Sequence, residues 1–95
     1  MKTTVFKTRK FNGEVYTFNL HTPSFDGEKG YLGIELTPYI TVDTPENAFG
    51  YTDTFIYSHK HKNGGYSWRN HPNWITKKII EICGKFAESL PYSID

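Results

Sequence analysis

Two periods of hydrophobic patterning run along this chain. As far as about residue 70, short runs rich in aromatic and β-branched residues are separated by turn residues, the signature of strands. The runs predict strands near 3–11, 14–21, 31–42, 51–61 and 66–70. Asn12-Gly13 separates the first two, and Asn63-Gly64-Gly65 the last two. Asn-Gly is the strongest short hairpin signal, because a type I′ turn needs positive φ at both central residues. Asp26-Gly27 and Gly30 break the chain before the third run, which Pro38 is expected to bend or move to an edge. Residues 44–50 read as a surface loop.

The period changes at the C-terminus. Ile75, Ile79, Ile82, Phe86 and Leu90 fall within about 80° of one another at helical pitch, with Cys83, Ala87 and Ile80 widening the stripe. A helix from Trp74 to Leu90 follows, capped by Asn70 or Asn73 and stopped by Pro91. Glu81 and Lys85 form an i,i+4 pair, and Gly84 marks either a close approach or a binding surface. The fold class is therefore α+β: an antiparallel sheet of about five strands with one C-terminal amphipathic helix on one face.

Composition narrows this further. Ninety-five residues make one small domain, 1–95. A 17% aromatic share supplies enough apolar area for a core and excludes disorder. One cysteine excludes an intrachain disulfide and the usual zinc-finger sets. No window of about 18 apolar residues exists, and Met1–Val5 lacks the apolar run of a signal peptide. A cytoplasmic protein without a membrane partner is the expectation. Phe, Tyr, Asn, Ile and Lys total 37 residues against 17 for Gly, Ala, Arg and Pro. That bias suits an AT-rich genome, such as that of a phage or mobile element.

The net charge is only +1, yet it is segregated. Residues 1–10 carry +4, 11–53 carry −6, 54–85 carry +5 and the last ten carry −2. If strand order keeps these blocks apart, the domain has a basic and an acidic side. If basic and acidic strands are neighbours, the charges cancel.

The hairpin around Asn63-Gly64 carries most of the candidate chemistry. A two-residue turn would pair Lys62 with Gly65, His61 with Tyr66, Lys60 with Ser67 and His59 with Trp68. Tyr57, His59, His61, Tyr66 and Trp68 would then share one face, and Lys60, Lys62 and Arg69 the other. Aromatic rings beside cations suit single-stranded nucleic acid, whereas Phe55, Tyr57 and Trp68 also suit a core beneath the helix. Across Asn12-Gly13, Arg9 should face Tyr16, Lys7 Phe18 and Val5 Leu20, where the cations equally guard an edge strand.

Other chemistry is thin. His59-x-His61 puts two imidazoles about 7 Å apart on one strand face. Only His21, His71, Asp53 and Cys83 offer a third donor, so no metal and no cofactor is assigned. Cys83 falls on the buried side of the helix, there is no nucleophile elbow, and no glycine-rich loop precedes a Lys-Ser or Lys-Thr pair. Metal-free RNA cleavage by His59, His61 or His71 with Lys60 and Arg69 is the one enzyme class left. Trp74 lies off the apolar stripe, as a staple to the preceding loop or an exposed anchor.

The leading expectation is a non-enzymatic binding or inhibitor protein that occupies a larger protein, encoded by a phage or mobile element and directed in the host cytoplasm at a nuclease or defence complex. The 57–69 hairpin is its primary candidate surface, and Glu28, Glu46, Phe49 and Trp74 form a secondary patch. The alternatives are a single-stranded nucleic-acid module using the same hairpin and a small metal-independent RNase. The protein is expected to be a monomer or an edge-strand homodimer.

Overall fold

The computed structural model describes residues 1–45, 54–57, the backbone of 65–66, and 74–94. Within them lie strands β1 (Lys2–Phe11), β2 (Glu14–Thr22), β3 (Tyr39–Asp43), β4 (Thr54–Tyr57) and β5 (Gly65–Tyr66), and helix α1 (Trp74–Ser89). The fold is α+β: one antiparallel sheet, with neighbours in chain order, and one C-terminal helix. Four strands of four to ten residues build the sheet, and β5 adds a two-residue pair beside β4.

The first hairpin forms where Asn-Gly places it. Asn12 and Gly13 take φ of 52° and 82°, the double positive φ of a type I′ turn. Arg9 faces Tyr16 and Lys7 faces Phe18, as expected, but Val5 faces Asn19 rather than Leu20. A β-bulge between Val5 and Lys7 leaves Phe6 as the extra residue. Phe6 stacks on Phe86 of α1, centroids 3.7 Å apart and planes 4° apart. The bulge thereby turns an edge residue into a core contact.

Alternation divides the sheet cleanly. Tyr16 and Phe18 of β2, Ile40 and Val42 of β3, and Phe55 and Tyr57 of β4 are buried in one cluster with Ile79, Cys83 and Ala87 of α1. The deepest line of the helix thus runs through its small residues, Cys83 and Ala87. The bulkier Ile82 and Phe86 flank it, partly buried, because small side chains let the backbone approach the sheet. A Cβ on Gly84 would lie 3.4 Å from the Tyr57 hydroxyl, so the close approach made there is to a side chain.

Two sequence expectations are corrected. The third run is no strand from residue 31; β3 starts at Tyr39, directly after Pro38. Proline has no N–H for a ladder, and β3 lies between two strands, so pairing begins only past it. Tyr31–Gly33 forms a short kinked turn instead, with Leu32 in left-handed backbone. In the second hairpin the observed pairs are Ile56 with Tyr66 and Tyr57 with Gly65. Gly65 therefore faces Tyr57 rather than Lys62, and Tyr66 faces Ile56 rather than His61. The two-residue turn is not compatible with that register.

Candidate functional site

Between β2 and β3 the chain makes a sixteen-residue excursion, 23–38, held by its own hydrogen bonds. Glu28 is its clasp. Its carboxylate accepts hydrogen bonds from the Met1 amino group and the Ser24 N–H, both at 2.7 Å, and its backbone carbonyl accepts one from the Leu36 N–H at 2.8 Å. The bonded amino terminus, with the Ser24 N–H, holds the Glu28 carboxyl below the usual carboxylate range. The Gly30 N–H donates to the Ile34 carbonyl at 2.8 Å, and Lys29 pairs with Glu35. A Cβ on Gly30 would sit 2.8 Å from Leu36 Cδ2, so a larger residue would require the leucine side chain to turn aside.

The excursion presents its apolar side chains to solvent. Tyr31 is 86% exposed, Leu32 79%, Phe25 66% and Ile34 65%. Four large hydrophobic residues left exposed on one short excursion are a concentration of the kind that marks interaction sites, whereas singly scattered ones need no explanation. Leu32 stands at φ 60° and ψ 21°, left-handed backbone that a bulky residue takes only at a cost of about 1–2 kcal/mol. Nothing is recovered by burial, since the side chain is among the most exposed of the large hydrophobics. At the base of the excursion Pro23, Phe25, Leu36, Pro38 and Tyr92 line a groove of about 530 Å³.

The helix-free face of the sheet is polar. The Asn19 side-chain amide donates to Asp43 Oδ2 at 2.9 Å and to Thr41 Oγ1 at 3.5 Å. His21 Nε2 lies 2.7 Å from Thr41 Oγ1 and its Nδ1 3.0 Å from Thr3 Oγ1, while the ring stacks on Tyr39 with centroids 4.4 Å apart. Thr41 already accepts from Asn19, so its hydroxyl is free to donate to Nε2, and Nδ1–H donates to Thr3. A neutral imidazole satisfies every member. Desolvation lowers the His21 pKa, and the Asp43 charge opposes that shift. This array joins three strands and reads as structural.

The residues predicted from sequence fare unequally. Tyr57 is 3% exposed beneath α1, in the core, and burial pushes its phenol up. Tyr66 is placed only by its pairing with Ile56. His59, Lys60, His61, Lys62, Trp68 and Arg69 lie outside the described residues, as do Glu46 and Phe49. Glu28 is the clasp rather than a free surface charge. Trp74 is half exposed at the start of α1 and meets the Phe11 ring edge to face at 5.9 Å. Cys83 is buried, and its thiol is pushed up to about 12 by desolvation, the setting of an inert core cysteine.

The sequence reading doubted that Tyr31 fits the core but missed Phe25, Leu32 and Ile34 as a surface. Their signal was present: apolar residues crowded among Gly27, Gly30 and Gly33, where a strand is poorly supported. No helix among the described residues is long and apolar enough to cross a membrane. Comparison with protein families, with curated proteins and with solved structures finds no match for this chain.

Proposed function

We propose that this chain is a non-enzymatic binding module that inserts the tip of its 23–38 excursion into an apolar pocket of a larger protein. The carrying observation is Leu32: a bulky residue in left-handed backbone, with its side chain in water, flanked in sequence by the exposed Tyr31 and Ile34. Strain of this kind persists where the surrounding structure enforces it, and here the Glu28 clasp and the Gly30–Ile34 hydrogen bond do so. A tip ordered before binding loses less conformational entropy on docking than a flexible one. The AT-rich residue usage supports an inhibitor carried by a phage or mobile element, with a host nuclease or defence complex as its target.

The test is a tagged pull-down from nuclease-treated source-cell lysate, comparing the native chain with Leu32→Asp/Ile34→Asp. Both positions are exposed and Asp tolerates left-handed backbone better than Leu, so the variant should melt at or above the native temperature. A stoichiometric protein captured by the native chain and lost by the variant is the expected result. A partner retained equally by both would remove the tip from the interface. Glu28→Lys is a poor substitute, because it opens the clasp as well as reversing a charge.

A further inference from the structure

We infer that a second binding site, independent of the tip, lies in the cleft between β1 and α1 and takes an acidic, apolar-anchored segment of a protein partner. The cleft encloses about 340 Å³, at the lower end of the range for ligand sites. Its floor is Phe6, Ile82 and Phe86, all half-buried. Its walls are Lys7 and Arg9 from β1 and Lys78, Glu81 and Lys85 from α1. Four cations against one carboxylate leave the lining at +3. Glu81 sits 3.7 Å from both Lys78 and Lys85, distances that hold neither tightly, and all three side chains are half exposed or more.

The β-bulge builds this arrangement. It places Phe6 against Phe86 and sets Lys7 and Arg9 opposite Phe18 and Tyr16, on the helix side of the sheet. An edge strand guarded only against aggregation needs its charges pointing anywhere outward. Here they converge with two helix cations over an apolar floor. Carboxylates suit such walls, with Arg9 able to engage one through two parallel hydrogen bonds, and an aliphatic side chain suits the floor.

Nucleic acid fits less well. Base stacking needs an open ring face, and Phe6 and Phe86 spend their facing surfaces on each other, with Phe6 also tilted against Phe18 at 6.0 Å. The apolar floor, Ile82 beside two rings already stacked on each other, suits an aliphatic peptide side chain better than a base.

The experiment is fluorescence anisotropy with the full chain and a short fluorescein-labelled peptide alternating Glu with Leu. The same peptide with Gln for Glu and a labelled oligothymidylate are the comparison probes. The Glu peptide should bind, weaken with added salt and lose about tenfold in affinity on Lys7→Glu/Lys85→Glu. Glu81→Gln should tighten it several-fold, a gain that damage to the fold would not produce. The tip variant Leu32→Asp/Ile34→Asp should bind it as the native chain does, so failure of the tip and failure of the cleft are separable. Affinity unchanged by the reversal, or equal binding of the Gln peptide, overturns the inference. Tighter binding of the oligothymidylate, lost on the same reversal, overturns the choice of a protein segment.

Discussion

At the scale of single residues, Leu32 and His21 show two ways a side chain departs from its default setting. Leu32 is strained and exposed, so the free protein should be happier without it. Leu32→Gly removes the Cβ clash of left-handed backbone, and thermal melts should show stabilisation of about 1 kcal/mol, less whatever glycine adds to the entropy of the unfolded chain. Partner capture should fall at the same time, a stability–function trade at one position. A destabilised Leu32→Gly would mean that the leucine is packed in the free state. His21 lies between two threonines, and desolvation favours its neutral ring. Its folded pKa lies below the ordinary 6.5, so above that value neither folded nor unfolded chain carries the proton. As pH falls below 6.5 the unfolded chain takes it up first and stability declines until the lowered folded value is passed. The melting temperature of the native chain should therefore drop more steeply below pH 6.5 than that of His21→Gln, and parallel curves would show that the network tolerates the charged ring.

At the scale of elements, local pattern was legible wherever one element could satisfy itself. The Asn12-Gly13 turn needs only its own φ angles, and the α1 stripe only its own period. The elements that depended on a distant partner were read less well. The bulge at Phe6 exists because Phe86, eighty residues on, offers a ring to stack against. The register of Tyr57 and Tyr66 is set by the sheet that β4 already belongs to, not by the nearest glycine pair. Gly84 reports the same dependence. Alanine there would gain up to about 1 kcal/mol of helix propensity but crowd the Tyr57 hydroxyl at 3.4 Å. Chemical denaturation of Gly84→Ala should show a gain clearly below 1 kcal/mol, and the full gain would indicate that the Tyr57 ring moves aside without cost.

At the scale of the whole molecule, the two surfaces are separated by the length of β1. The Met1 end holds the Glu28 clasp, with Asp26 and Glu35 in the same excursion, while Lys7 and Arg9 face the helix about 20 Å along the strand. The basic strand β1 nevertheless lies beside β2 of the acidic block, and the amino terminus pairs with Glu28, so the charge blocks of the sequence meet in space. The arrangement also bears on self-association. The outer edge of β1 pairs with no other described strand, but it is interrupted by the bulge and carries Lys2, Lys7, Arg9 and Lys10. An irregular edge of one sign resists a copy of itself. Sedimentation equilibrium at micromolar concentration should give a monomer, and a dimer abolished by Lys7→Pro would place the interface on β1 after all.

What the sequence alone determined were the features with a short-range cause: the α+β class, the first hairpin, the extent of the helix, and the burial of Cys83. Period, turn chemistry and side-chain size act within a few residues, and a single chain displays them directly. What only the tertiary structure decided was which apolar residues remain outside. Leu32 and Ile34 are as hydrophobic as Ile40 and Val42, and the glycines beside them argue against a strand without saying whether the side chains are buried. They are exposed because the sheet closes its core with Tyr16, Phe18, Ile40, Val42, Phe55 and Tyr57 beneath one helix. An excursion clasped outside that pairing has no face left to bury against.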